Sequence, residues 1–299
     1  MDEEKLIRSL ERAFPDLQNI EPLQVVGSGF SSDAVRTAGG VVFRIAKNAV
    51  AGARHRREQA LLRLLRPYIS GFSIPFPTYY RPQAEGFPFG VVGYASLAGR
   101  PMRPQDVTPA TRNGLAASIA TFIRQLRDAP MTGTFQALRP PRFPPPEPEL
   151  VQMWQQVRPY LRQAFDSTTF ATLERWWADA LRAWRAPAYR AVLLHGDLWY
   201  ENILLDSEGK QVVGVLDFEN FSLGDPATDF TTQLYVGEDF AEAVLSAYRR
   251  LGGREEVQGA EGRMRRLLGL RELQGLAYGV ATGSIDPDTY DKIRAATSG

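Results

Sequence analysis

The residue types and spacing best suited to chemistry stand together in the second half of the chain. They are His195-Gly196-Asp197-Leu198-Trp199-Tyr200-Glu201-Asn202, with Asp217 fifteen residues further on. An apolar, strand-like Ala191–Leu194 leads into the first group, and a second such run, Val212–Leu216, leads into Asp217. Phosphoryl transfer asks little covalent help of a protein. It needs a carboxylate at the attacking hydroxyl and oxygen ligands for Mg²⁺ near the β- and γ-phosphates. Mg²⁺ takes hard oxygen donors and keeps several waters. One aspartate, one asparagine and a second aspartate, on two neighbouring strand ends, meet that requirement. Any one of these aspartates alone reads as a turn or cap residue; the constellation is what carries the signal.

The pattern His-Gly-Asp, four residues, Asn, a short hairpin, then Asp-Phe resembles the catalytic loop and metal aspartate of the aminoglycoside phosphotransferase family. Protein kinases have a related His-Arg-Asp and Asp-Phe-Gly arrangement. Here Gly196 replaces that arginine and Glu219 that glycine, and both departures point to the small-molecule branch. The resemblance covers the chain from Gly27 to about Phe230. It implies a two-lobed, protein-kinase-like α+β fold, with a small antiparallel-sheet lobe over residues 1–95 and a larger, mainly helical lobe over 96–299. It implies Asp197 as catalytic base, Asn202 and Asp217 as Mg²⁺ ligands, ATP or GTP as phosphate donor, and His195 as a residue that orients the loop.

The same resemblance reaches the first ninety-odd residues. Gly27-Ser28-Gly29-Phe30-Ser31-Ser32 partly matches a kinase glycine-rich loop, with Ser32 where a third glycine would stand. It is not a Walker loop, because no Gly-Lys-Ser/Thr follows. The resemblance implies that Gly27, Gly29 and Ser31 cover the phosphates and that Val35 packs on the base, though a buried strand residue explains Val35 as well. Val41–Lys47 should supply a cation to the phosphates. Arg44 falls in the family's lysine position, and Lys47, three residues on, points to the opposite face of a straight strand. Arg44 is favoured, with Glu58 as its pairing acid, although Glu58 also suits exposed helix pairs with its arginine neighbours. Tyr94 to Ser96 would be the hinge that reads the edge of the base.

Elements that position these groups are legible in outline. Leu6, Ile7, Leu10 and Phe14 recur at helical spacing, with Pro15 following. An apolar run at 23–26 and strand-like segments at 33–37 and 41–46, separated by Gly27-Ser28-Gly29 and Gly39-Gly40, read as an antiparallel meander. Residues 53–66 read as a helix stopped by Pro67, and 87–97 as a further strand. Helices are expected over about 115–126, 150–165, 168–184, 240–251 and 261–279, with short strands at 191–194, 202–205 and 212–216. Six prolines between Arg139 and Pro148 exclude a regular element there. Asp225 and Asp229 would cap a helix starting at Pro226.

Bulk composition sets limits. With no cysteine and two histidines among 299 residues, disulfides, thiolate metal sites and histidine-rich metal sites are excluded. The net charge of +1 gives no global field for nucleic acid or membrane lipid. No signal peptide and no spanning helix is read, so the expectation is a cytoplasmic protein, a monomer or weak dimer. The acceptor could be an aminoglycoside, a macrolide or a hydroxylated metabolite of the choline, homoserine or fructosamine kind, with antibiotic resistance as one biological outcome. Glu201, Glu219, Glu238, Asp239 and Glu242 could hold a cationic acceptor, and Trp154, Trp176, Trp177 and Trp184 could wall it. A solvated acidic face and helical core packing are the plainer roles. A protein kinase is disfavoured, because Asp225 follows Asp217 by only eight residues and leaves little room for a peptide-docking segment. A non-catalytic nucleotide-binding module is permitted by Ser32 and Arg44 and opposed by the intact Asp197, Asn202 and Asp217.

Overall fold

The computed structural model describes residues 2–29 and 31–298; Phe30 of the glycine segment lies outside them. Helix α1 (Glu3–Ala13) starts where Asp2 accepts from the Lys5 N–H, and Glu3 and Glu4 face its positive end. Strands β1 (Gln24–Ser28), β2 (Ser32–Arg36) and β3 (Val41–Ala46) form the meander. Helix α2 (Ala49–Leu65) is capped by Asn48, whose side chain accepts from the Ala51 N–H at 2.9 Å. Strands β4 (Tyr79–Arg81) and β5 (Val91–Ala95) complete a five-stranded antiparallel sheet ordered β1-β2-β3-β5-β4. The residues of α1 that face the sheet, Leu6, Ile7 and Leu10, pack with Val35, Phe43 and Val91. Each such side chain, once buried, contributes about 1.5–3 kcal/mol.

The remaining chain is mostly helical. In order come β6 (Arg100–Pro101), α3 (Arg112–Asp128), α4 (Thr134–Ala137), β7 (Arg142–Phe143), α5 (Glu147–Ala164) and α6 (Ser167–Arg185). Then follow β8 (Val192–Leu194), β9 (Ile203–Leu205), β10 (Val212–Val215), β11 (Ser222–Gly224), α7 (Thr228–Thr231), α8 (Glu238–Tyr248), α9 (Ala260–Thr282) and α10 (Thr289–Thr297). Two three-stranded sheets, β10-β9-β6 and β7-β11-β8, stand at the face that carries the chemistry. The loop 195–202 joins β8 to β9, and 216–221 joins β10 to β11.

Two apolar cores support this region. One runs from α3 (Leu115, Ile119, Phe122) through Leu198 and Phe218 to α8 (Val244, Leu245). It also takes in Leu61, Leu62 and Leu65 of α2. The other joins α5, α6 and α9, with the Trp154 and Trp177 rings stacked at 4.8 Å and Trp184 edge-on to Trp177. The tryptophan cluster is thus core packing. Among the described residues no helix is long and apolar enough to cross a membrane.

The short elements β4, β6, β7, β11 and α4, and the terminal α10, were not expected, and the helix expected to start at Pro226 is the single turn of α7. The proline-rich stretch contains β7, two residues that pair in parallel with β11.

Candidate active site

The loop after β8 is built around His195, which is fully buried. Its Nε2–H donates to the Leu216 carbonyl at 2.9 Å, and its Nδ1 accepts from the Asp197 N–H at 3.2 Å. That pairing fixes the tautomer and ties the loop before Asp217 to the loop that carries Asp197. Asn202 adds two ties: its Nδ2 donates to Asp197 O and its carbonyl accepts from the Leu216 N–H, both at 2.8 Å. Asp197, Asn202 and Asp217 therefore belong to one block.

Gly196 explains why no larger residue stands before Asp197. Its φ is +81°, and a Cβ there would sit 2.1 Å from the Asn220 carbonyl oxygen. Gly196→Ala is expected to lower stability by about 2–3 kcal/mol, from left-handed strain and overpacking together. A denaturant titration of the variant checks it; wild-type stability would contradict the contact.

Asp217 has φ +58°, a left-handed conformation that aspartate tolerates better than most residues. Its Oδ1 is buried and, among the described residues, lacks a hydrogen-bond donor, although Arg44 Nη2 lies 3.2 Å away as an off-axis ion pair. Arg44 is the hub of the cleft. Its Nη1 donates to both Glu58 oxygens at 2.8 and 2.9 Å, and its Nη2 to Glu219 at 2.5 Å. Burial pushes the Glu58 carboxyl up to about 7, opposed by the Arg44 charge. Glu58 also accepts from the Phe218 N–H at 3.1 Å, which joins α2 to the Asp217 segment. Burial likewise pushes the Tyr94 hydroxyl up to about 12.

Asp217 and Asn202 suit a hard cation. They offer oxygen donors, and the uncapped Asp217 Oδ1 is an acceptor without a donor. No group of three or more His, Cys, Asp or Glu able to hold a metal occurs among the described residues. A small set of protein oxygens completed by phosphate and water is how Mg²⁺ is usually held.

The chain matches the model of the phosphotransferase enzyme family over residues 22–267. It belongs to this family. A comparison with curated proteins gives no match. Among solved structures, the GDP and kanamycin complex of APH(2")-IIIa is similar with a TM-score of 0.83 at 21% identity, over 98% of this chain and 97% of that one. The streptomycin–ATP ternary complex of APH(2")-IIa gives 0.71 at 18%, over 100% and 97%. The macrolide 2'-phosphotransferase MphH from Brachybacterium faecium gives 0.67 at 20%, over 99% and 97%. At such identities the likeness establishes the kinase-like fold of the family. The chain is accordingly a small-molecule kinase by family.

Within this phosphotransferase, several expected residues sit elsewhere than the sequence suggested. Val35 is 1% exposed and packs in the core on the α1 side of the sheet, not toward the cleft. Ala34 pairs directly with Arg44 and shares its face, so Ala34 is the β2 residue turned to the cleft. An irregularity between Val25 and Gly27 shifts the strand register there. Lys47 is held by the hairpin, donating to Gly29 O at 2.7 Å and Ser28 Oγ at 3.0 Å and pairing with Asp33 at 2.8 Å. Gly27 pairs with Ala34 across β1–β2, and the Gly29 N–H donates to Ser32 O. The Ser96 N–H donates to Gly40 O at 2.7 Å, so it is spent within the sheet. By the alternation of the pleat, Ala95 turns its backbone groups away from β3. Ser32 is buried against His55 Nε2 at 3.0 Å, and burial with the Arg44 charge lowers His55 to about 3, which keeps it neutral.

Glu219 was expected among acids facing an acceptor. It lies instead between the sheet and the Asp217 segment, taking Ser31 Oγ at 3.0 Å and Arg44, with Arg54 3.6 Å away. Glu238 and Glu242 pair with Arg265 and Arg249. None of Glu201, Glu219, Glu238, Asp239 and Glu242 lines the cavity of about 410 Å³ beside Asp197. A larger cavity of about 1230 Å³ is lined in part by Tyr189, Arg263 and Trp184, the last a residue offered as an acceptor wall, but by none of the residues expected to act as base or to hold nucleotide or metal.

Asp229 does not cap a helix. It is fully buried, and its carboxylate accepts from the His195 and Gly196 N–H groups at 3.3 and 3.0 Å. Asp225 does act as a turn cap, accepting from the Ala227 N–H at 2.9 Å, and binds Arg263. Arg271 of α9 was missed altogether: its Nη2 donates to Asp197 Oδ1 at 2.5 Å and its Nη1 to Gly196 O at 2.9 Å. Nothing in the helical spacing of α9 marks this arginine out from the four others between residues 254 and 271.

Proposed function

We propose that this enzyme moves the γ-phosphate of ATP or GTP onto a hydroxyl of an aminoglycoside-like antibiotic or a related polyhydroxylated metabolite. The observation that carries the reading is the single hydrogen-bonded block formed by Asp197, Asn202 and the segment before Asp217, facing the Arg44–Glu58 pair. The nucleotide lies between the unit 1–95 and the unit 96–299, under Gly27, Gly29 and Ser31. Arg44 grips the phosphates, and the backbone near Tyr94 and Ala95 meets the base. Asn202 and Asp217 would hold Mg²⁺, which when bound neutralises charge on the β- and γ-phosphate oxygens. Asp197 takes the proton of the acceptor hydroxyl as its oxygen bonds to the γ-phosphorus. The bond to the β,γ-bridging oxygen breaks, and its electron pair leaves with the nucleoside diphosphate. The enzyme works in the cytoplasm, where both triphosphates occur, as a monomer or weak dimer.

The test is a coupled nucleotide-turnover assay with ATP and GTP against aminoglycosides, macrolides and hydroxylated metabolites. Turnover stimulated by one compound and abolished by Mg²⁺ chelation supports the reading; nucleotide binding with metal-independent behaviour refutes it. Asp217→Ala is expected to raise the Mg²⁺ concentration for half-maximal turnover by at least about tenfold, since even an outer-shell change weakens metal sites by about 10–100-fold. An unchanged Mg²⁺ titration would remove Asp217 from the metal site.

A further inference from the structure

Two residues beyond Asp217, Glu219 lays its carboxylate against the cleft face of the five-stranded sheet, and its side chain is 9% exposed. Three donors converge on it. Ser31 Oγ donates at 3.0 Å, Arg44 Nη2 donates at 2.5 Å, and Arg54 Nη1 lies 3.6 Å away. Ser31 belongs to the glycine segment, Arg44 to β3 and Arg54 to α2. A hydroxyl and two guanidinium groups around one oxyanion are also what a phosphate group asks for.

The kinase reading gives two of these same groups to the nucleotide, with Ser31 over the phosphates and Arg44 gripping them. Yet both terminal nitrogens of Arg44 are engaged. Nη1 bonds to the two Glu58 oxygens, and Nη2 bonds to Glu219 with Asp217 Oδ1 3.2 Å off its axis. Glu58 belongs to the frame of the cleft, because it also accepts from the Phe218 N–H. Glu219 is the partner that can leave. Turning its side chain disturbs neither the buried Phe218 ring nor that backbone bond. Charge points the same way. Arg44 and Arg54 face three carboxylates, on Glu58, Asp217 and Glu219. A triphosphate set beside all three would meet like charge at close range. With Glu219 turned away, the phosphates take the donors it vacates.

We propose that Glu219 stands in for the donor's phosphates: it fills their seat on Ser31, Arg44 and Arg54 in the empty enzyme, and the nucleoside triphosphate binds by displacing it. This rests on the kinase reading above and adds a residue that sets the affinity for the donor. The apparent affinity is lowered by the fraction of molecules in which Glu219 holds the seat.

The test titrates the Mg²⁺ complexes of the non-hydrolysable β,γ-imido analogues of ATP and GTP, by calorimetry, into wild type, Glu219→Gln and Glu219→Ala. The better-bound analogue is expected to bind about tenfold or more tightly to the alanine variant, the gain that follows if the seat is filled in about nine molecules of ten. Glu219→Gln keeps an acceptor for Ser31 but no charge for Arg44. It should show a smaller gain, and it decides the matter if the alanine variant does not fold. Adenosine and guanosine, titrated by saturation-transfer NMR, have no phosphate to seat and should show no gain in either variant. The proposal is overturned if the folded variants bind the triphosphate within about twofold of wild type or more weakly, which would make Glu219 a tie that the bound nucleotide keeps. It is overturned as well if the nucleosides gain as much as the triphosphates. Failure of all three proteins to bind either Mg²⁺–triphosphate is a separate result, and refutes the kinase reading itself.

Discussion

Replacing Asp197 by alanine is expected to slow acceptor phosphorylation by about 10²–10⁴-fold, the usual contribution of a positioned general base, with nucleotide affinity nearly unchanged. Asp197 contacts neither Arg44 nor the glycine segment. Its partners are Arg271 and the loop's own His195 and Asn202. The loss should therefore fall on kcat and not on nucleotide binding. Asp197→Asn keeps an acceptor for Arg271 and separates loss of the base from collapse of the loop; it should be as slow as alanine but more stable. Pre-steady-state transfer and equilibrium nucleotide binding on both variants check this. Turnover near wild type in either would remove Asp197 from the chemistry.

Asp229→Ala is expected to lower stability by about 2–6 kcal/mol, because two buried backbone N–H groups lose their acceptor at about 1–3 kcal/mol each. Arg127, 2% exposed and 3.8 Å from the same carboxylate, loses a neighbouring counter-charge as well. Activity should fall with it, since the two N–H groups belong to the residues that lead into Asp197. Asp229→Asn keeps one acceptor oxygen and should recover part of the stability. Denaturant unfolding of the two variants decides: an alanine variant as stable as wild type would show that these N–H groups find other partners.

Much of this site can be read from the sequence because its chemistry is local. His195 to Asn202 is one contiguous loop between apolar runs, so spacing alone displays it. The Arg44–Glu58 pair was legible through the family resemblance, which puts Arg44 in the lysine position and Glu58 as its acid. Val35 was misplaced by one residue. The alternation of a strand gives two faces but does not say which is the inner one. Asp229 and Arg271 reach the loop from 33 and 74 residues away. In sequence each is one acid or base among many, and only the packing of α7 and α9 gives it a direction. The strands β6 and β11 have two and three residues. Pairing with distant segments makes them strands, and no local propensity could announce that.

The helix that supplies Glu58 bears on how such an enzyme is controlled. In many kinases this helix swings, and the swing makes and breaks the ion pair that readies the phosphate-binding cation. Here Leu61, Leu62 and Leu65 of α2 are sunk in the same core as α3, α8 and Phe218. Swinging the helix outward would return three leucines to water, at about 1.5–3 kcal/mol each. It would also break the bond from the Phe218 N–H to Glu58. The pair is thus held by a costly-to-open core. The same leucines that seat the helix also keep the Arg44–Glu58 pair assembled, so the cost of parting the pair is set by the core and not by the pair itself.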